Sequence, residues 1–486
     1  MTDGTRRDLT ELLESIGARD GRLVHLQRTP ARPAQHSEWP AWADPLLVTA
    51  YRHLGVETPW VHQTRAADAV HTGRHTVLAT GTGSGKSLAA WLPAISDVLA
   101  SQGAGPASGP ATEITEATEA TERRAGGRAR IPGSRISEYG RHPTTLYLSP
   151  TKALAADQAA SLERLVAEVE AIQRADGVPA GSIRTVRIGT CDGDTPLPER
   201  DWARAHADVV LTNPDFLHFS LLPGHERWTR LLRALRYIVV DECHAYRGIL
   251  GAHVALVLRR LLRLVHRLRP DGPGPVVLCA SATAAEPALT AARLIGVEPD
   301  AVLAVTDDGA PAGERTLALW QPALREPWLL WDRQNPSTSA HTAAGGASTS
   351  RNVGPDTLDP TEDPSARRSA VVEAAELLAD LLSVGARALV FVRSRRSAEI
   401  VAEHARRILG RSQPELIGAV AAYRGGYLPE ERRALEKDLR RGHLRALATT
   451  NALELGIDVT GLDAVLIAGW PGTRVSLGQQ AGRAGR

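Results

Sequence analysis

The chain has 486 residues, too many for one hydrophobic core, so two or more domains are expected. No apolar run approaches membrane-spanning length and the N-terminus, MTDGTRRDLTELLESIG, is polar, which predicts a soluble cytoplasmic protein without a signal peptide. Formal net charge is only +2, so any nucleic-acid contact must be local; the three scattered cysteines (Cys191, Cys243, Cys279) exclude a disulfide framework and any cysteine-built zinc site within this chain.

Residues 1–50 read as an accessory segment, an amphipathic helix followed by the Pro/Trp-rich RTPARPAQHSEWPAWADP. A helix at 59–71 leads into an apolar strand at 75–80, a glycine-rich turn and a helix at 88–100. The repeat TEITEATEATE and the Arg/Gly-rich RRAGGRARIPGSR mark 101–143 as a disordered surface insertion. Apolar strands at 145–148, 185–188, 208–211, 237–240, 276–279 and 302–305 then alternate with helices, and 316–320 reads as one more strand. Such runs between helices indicate a parallel sheet covered on both faces.

A second low-complexity stretch, rich in Ser, Thr, Gly, Pro and Asp, fills 333–369. The alternation resumes with a helix at 371–383, a strand at 388–392 and a helix at 394–409. A strand near 417–422, a helix at 429–441 and strands at 445–449 and 464–468 follow. The chain stops at Arg486 inside a predicted helix, so its second lobe is expected to be incomplete. The predicted class is α/β, with 1–50 accessory, 51–325 a first lobe, 326–369 a linker or loop and 370–486 a second lobe.

The segment VLATGTGSGKS gives strand, glycine turn, Lys-Ser and helix in the order of a phosphate cradle. Backbone N–H groups of Thr82, Gly83, Ser84 and Gly85 can curl around an anion, Lys86 can reach the β and γ phosphates, and Ser87 can hold Mg²⁺. Thr80 stands where the strict pattern has glycine, and a surface Gly/Ser turn is the plainer alternative. Only Lys86, Lys152 and Lys437 of the 57 basic residues are lysine. Lys86 fits a tight loop as a compact, flexible charge, where a guanidinium fits poorly.

The cradle alone leaves kinases, GTPases and ATPases open. In YIVVDECH an apolar strand ends in two carboxylates, Asp241 suited to Mg²⁺ and Glu242 to orienting and deprotonating water; an acidic strand-end turn is the plainer reading. Ser281-Ala282-Thr283 follows another apolar strand and is weak alone. In the tail QQAGRAGR, Gln479, Arg483 and Arg486 fall on one helix face, where two arginines suit a γ-phosphate; a basic helix end is the alternative.

In order, the chain gives TGTGSGKS, LSPTKALAADQ, LTNPDFLH, DECH, SAT, FVRSRRSAE, TNALELGID and QQAGRAGR. As a set these resemble the superfamily 2 helicases of the DEAD/DEAH-box kind, with two RecA-like lobes and ATP bound between them. The strings CDGDTP, LLPGHERW, DDGAPAGE and AYRGGYLPEERRALE narrow the resemblance to the MrfA-type DNA-repair helicases.

The resemblance implies that Gln63 reads adenine, Asp458 lies near the ribose, and Ser281 and Thr283 couple hydrolysis to lobe movement. It implies arginine fingers at Arg483 and Arg486. Thr151, Lys152, Thr212, Asn213, Arg393, Ser394 and Thr450 would track a single strand's phosphates. It further implies ATP and Mg²⁺ as cofactors, 3′→5′ movement and single-stranded or forked DNA as partner. The family's cysteine-rich zinc domain has no counterpart in this chain, so no zinc is carried over.

Two positions depart from the family, Cys191 replacing an aromatic and Gly478 replacing a tryptophan. The expectation is a nucleoid-associated ATP-dependent DNA helicase or translocase. An RNA-directed enzyme and a binding remnant with little turnover stay open.

Overall fold

The computed structural model describes residues 9–19, 21–103, 142–282, 285–324, 367–454 and 461–485. Nearly all of the predicted insertion and most of the second low-complexity stretch lie outside these. Among the described residues the strands are β1 (Leu23–Thr29), β2 (His75–Ala79), β3 (Thr144–Leu148), β4 (Ile188–Cys191), β5 (Val209–Thr212), β6 (Leu235–Val240), β7 (Val276–Ser281), β8 (Val302–Val305), β9 (Arg315–Trp320), β10 (Ala388–Phe391), β11 (Val420–Tyr423), β12 (Ala446–Thr449) and β13 (Ala464–Ile467). No helix among them is long and apolar enough to cross a membrane.

The chain divides into two compact units. The first covers residues 33–311 and is built on a seven-stranded, all-parallel sheet in the order β4-β5-β3-β6-β7-β2-β8. Its strands are predominantly apolar because both faces are covered. Val77, Leu146, Leu148, Val210, Ile238, Val240 and Val277 point to one face, where helices Gly248–Leu268 and Pro287–Ile295 pack. Leu78, Tyr147, Val209, Leu211, Val239 and Leu278 point to the other, against helices Pro45–His53, Val61–His71, Lys86–Gly103 and Lys152–Ala175. That alternation is the period-two signature of a strand between two helical layers.

The strand expected at 185–188 forms three residues later, as β4. The N–H groups of Arg184, Thr185 and Arg187 are taken by side chains, those of Gln173 (2.8 Å), Gln102 (3.0 Å) and Asp208 (3.0 Å). With those donors spent, ladder pairing begins at Ile188.

The other unit takes residues 1–32 together with 312–454 and 459–486. Its four-stranded parallel sheet runs β11-β12-β10-β13. Ala388, Val390, Val420, Ala422, Ala446 and Ala448 form a core with helices Ala370–Ser383 and Arg395–Ser412. The strand expected near 417–422 starts at Val420, because Pro414–Ala419 turns as a 3₁₀ helix.

The N-terminal helix, expected within an accessory segment, is Leu9–Arg19, and its Leu9 and Leu12 pack on this core. The strand expected at 316–320 forms as β9, and it pairs antiparallel with β1, which the sequence reading had not anticipated. Glu373, only 2% exposed, ties the ribbon down by accepting from Arg22 (3.0 Å) and Trp320 Nε1 (2.8 Å).

Candidate functional site

In a parallel sheet, loops at the carboxyl edge carry the ligand chemistry, and the predicted motifs of the first unit leave the carboxyl ends of β2, β3, β5, β6 and β7. After β2 the loop 80–85 turns straight into helix Lys86–Gly103. Gly83 and Gly85 hold φ of +80° and +62°, conformations open to glycine at little cost. A side chain at Gly85 would also collide with Gln63 Nε2. Thr82 and Ser87 stand half-buried at their predicted places in the loop and first helical turn. Thr80 Oγ1 lies 2.6 Å from Ser84 Oγ, so the threonine in the first position closes the loop on itself. Lys86 Nζ donates to the carbonyls of Gly81 (2.8 Å) and Thr80 (3.2 Å).

The loop is braced from outside by residues that sequence reasoning missed. His62 is 1% exposed, with Nε2 2.8 Å from the Ser84 carbonyl and Nδ1 accepting from Gly309 N–H at 3.1 Å. Because a backbone donor meets Nδ1, the ring proton is assigned to Nε2, and the imidazole is neutral. Asp308 accepts from Gly81 N–H (3.1 Å) and Ala310 N–H (3.0 Å). The stretch DDGAPAGE thus acquires a role: it holds the phosphate loop. Gln63 also serves the loop, accepting from Trp60 N–H (2.8 Å) and donating to Gly85 O (3.0 Å).

At the end of β6, Asp241 accepts from Glu242 N–H (2.9 Å) and from the Tyr147 hydroxyl. Burial pushes the Asp241 carboxyl up, against the opposing pull of those two hydrogen bonds and of the Lys86 charge. Glu242 has φ 44° and ψ 45°, the only left-handed backbone among the described non-glycine residues. That conformation costs about 1–2 kcal/mol, and such strain gathers at functional sites. His244 Nδ1 lies 3.2 Å from Glu242 Oε2 and 3.4 Å from Ser281 Oγ, which joins the ends of β6 and β7. Thr283 lies outside the described residues.

Asp241 and Ser87 offer the hard oxygens that Mg²⁺ prefers, and Mg²⁺ typically takes only one or two protein ligands beside phosphates and water. Among the described residues no group of three or more His, Cys, Asp or Glu could cage a metal. The donor set therefore fits a cation held largely by its nucleotide.

Three of the residues predicted to track phosphates share one local device. Thr151 caps helix Lys152–Ala175 by accepting from Leu154 N–H (3.3 Å), Asn213 caps Pro214–Phe216 (2.8 Å), and Ser394 caps Arg395–Ser412 (3.0 Å). Each cap stands at or just beyond a strand's end, where the positive end of a helix meets solvent. Thr212 instead turns inward, its hydroxyl donating to Cys191 O (2.6 Å). Lys152 is ion-paired with Asp194 and lies 3.8 Å from Asp192, both in CDGDTP.

In the second unit Arg393 and Thr450 line an open groove with Trp470. The helix Arg474–Ala481 carries Gln479, 1% exposed, and leads to Arg483, 6% exposed. Glu454 organises it: its carboxylate accepts from Ser476 and from Gln480 (3.1 Å), and its carbonyl from Arg483 (2.6 Å). Sequence reasoning passed over Glu454, although a carboxylate inside NALELGID was the available signal. Asp458 and Arg486 lie outside the described residues.

Residues 60–291 match the DEAD/DEAH box helicase family and residues 373–486 the helicase conserved C-terminal domain. The ATP-dependent helicase YprA of Bacillus subtilis is 32% identical over 483 residues, 99% of this chain and 51% of YprA. ATP-dependent helicase HRQ1 of Saccharomyces cerevisiae is 30% identical over 479 residues, 98% of this chain and 36% of HRQ1. The crystal structure of the DUF1998 helicase MrfA bound to DNA and AMPPNP superposes with a TM-score of 0.74 at 30% identity, covering 99% of this chain and 54% of that one. The chain thus spans about half of YprA and MrfA and about a third of HRQ1. With both helicase domains in sequence and a parallel, helix-covered sheet in each unit, the chain belongs to the DEAD/DEAH-box-like helicases of superfamily 2.

Proposed function

We propose that this chain is the motor part of an ATP-dependent DNA helicase or translocase that moves 3′→5′ on single-stranded or forked DNA and serves DNA repair in the cytoplasm, at the nucleoid. One observation carries the reading. The phosphate loop after β2 and the acidic pair after β6 share a sheet edge, and His244 links that pair to Ser281 at the end of the strand between them. The likeness to MrfA, whose structure holds DNA and AMPPNP, supports DNA as the track.

Lys86 would exchange the carbonyls of Thr80 and Gly81 for β- and γ-phosphate oxygens, while loop N–H groups cradle the rest. Ser87 and Asp241 would hold Mg²⁺, which neutralises charge on the transferring phosphoryl group when bound. Glu242 orients the attacking water and takes its proton, and Ser281 with Thr283 relays the change. Gln63 would read adenine by sharing or exchanging its bonds to Trp60 and Gly85. We assign the ribose to Asp458 and the transition-state cations to Arg483 and Arg486, with Gln479 beside them.

Lys86→Ala should abolish ATP hydrolysis and greatly weaken nucleotide binding, whereas Glu242→Gln should abolish hydrolysis and keep binding. Near-normal turnover in Glu242→Gln would remove Glu242 from its role. ATPase stimulation compared between single-stranded DNA and RNA at matched salt tests the track, and stronger stimulation by RNA would overturn the DNA reading.

A further inference from the structure

The segment leaving β13 reads Ala468-Gly469-Trp470-Pro471-Gly472. Gly469 and Gly472 hold φ of +87° and +95°, so the backbone folds tightly on either side of Trp470-Pro471. The turn leaves the indole 53% exposed. Large aromatics usually gain their stability from burial, as Trp228 at 1% and Trp91 at 3% do in the first unit. The other exposed tryptophan among the described residues, Trp202, leans on His206 with ring centroids 6.0 Å apart. No such ring contact covers Trp470 among the described residues.

The exposed indole borders a groove of about 220 Å³ whose other walls include Arg393, Thr450, Asn451 and Gln480. That is below the roughly 300–1,000 Å³ of small-molecule pockets, so it suits one planar ring better than a whole cofactor. Its surroundings favour an anion-bearing strand. Arg393 has no carboxylate within ion-pair distance among the described residues, and the next residue, Ser394, caps an 18-residue helix at the end where the first-turn N–H groups lack intrahelical partners. An apolar ring face beside a free guanidinium and a helix start is how proteins hold single strands without reading sequence.

We propose that this groove is a nucleobase subsite. One base of the bound strand stacks on Trp470, while Arg393 and the Ser394-capped helix start hold the adjoining phosphate. The subsite rests on the reading of the chain as a motor on single-stranded DNA, and it adds a base contact to a groove otherwise assigned to phosphates.

The experiment measures affinity for labelled oligo-dT in the presence of AMPPNP, using strands with a single abasic site moved along the sequence. In the wild-type chain one abasic position should weaken binding by about tenfold, the scale of one lost base stack. W470A should lose a similar factor on the intact strand and nothing further on the abasic one. W470F, which keeps a ring face, should stay within a few-fold of wild type and preserve the abasic penalty. An equal abasic penalty in wild type and W470A, or no penalty at any position, overturns the subsite. If W470A fails to fold, shown by a shifted thermal melt, W470F alone decides, because loss of its abasic penalty refutes stacking. Failure of wild type to bind single-stranded DNA at all would refute the motor reading itself, and the subsite with it.

Discussion

His62 shows how much one buried side chain can govern a loop that it never shares with phosphate. It links the carbonyl of Ser84 to the N–H of Gly309, while the neighbouring Asp308 takes the N–H of Gly81. The loop 80–85 is therefore held by side chains at Gly81 and at Ser84, which on the proposed function keeps it ordered for the phosphates. Replacing His62 with leucine leaves the buried Gly309 N–H without this partner and the Ser84 carbonyl with only the long 3.5 Å bond from Gln63 Nε2, at about 1–3 kcal/mol for an unsatisfied group. That cost falls on the loop's ordered form, which ATP must then restore. His62→Leu is expected to raise KM for ATP about tenfold with a smaller change in kcat, the pattern of lost ground-state organisation. His62→Gln keeps a donor toward Ser84 and should recover part of the loss. Steady-state ATPase titrations read both values, and an unchanged KM in a folded His62→Leu protein would remove His62 from this role.

Elements differ in how openly the sequence announced them. Tyr237–Val240 was legible because a strand buried on both faces must be apolar at every position. The turns after Ala79 and Val240 were legible as turns because a buried apolar strand ends at each, in glycines at one and in two acids at the other, while their chemistry was legible only from the ordered set of motifs. β4 was misplaced because the partners of Arg184, Thr185 and Arg187 lie on Gln173, Gln102 and Asp208, and nothing local marks such bonds. β1 was missed because LVHLQRT exposes most of its residues and lacks a clear apolar face. His62 and Asp308 were invisible for the same reason as β4: their work depends on contacts over more than 200 positions of chain.

The helix Arg474–Ala481 was expected, and it carries a testable oddity. Gly478 lies in its interior, is exposed, and a Cβ there would meet nothing within 4 Å. Glycine in a helix interior gives up about 0.5–1 kcal/mol relative to alanine. Gly478→Ala should therefore raise stability by that amount, seen as a higher urea midpoint at unchanged slope. A lower midpoint would mean that the position has a steric neighbour in the working protein.

For the molecule as a whole, a net charge of +2 spread over 486 residues provides no long-range attraction to a polyanion. If the chain binds a single strand as proposed, affinity must then come from a few local cations, and its salt dependence should count them, at a log–log slope of about −0.7 per phosphate neutralised. The candidate cations are not equivalent. Arg393 has no carboxylate within ion-pair distance among the described residues, so a phosphate that meets it releases counter-ions in full. Lys152 is already compensated by Asp194 and lies 3.8 Å from Asp192, so it must trade one anion for another. Arg393→Ala should reduce the slope by about 0.7, and Lys152→Ala by clearly less. Asp194→Asn should steepen the slope, because it frees Lys152 for the strand. Anisotropy titrations of labelled oligo-dT over a series of salt concentrations measure all three. Equal losses from Arg393→Ala and Lys152→Ala, with Asp194→Asn silent, would show that the Lys152 ion pair opens without cost when the strand binds. Small overall charge makes the comparison decisive, since no general electrostatic background obscures the removal of one contact.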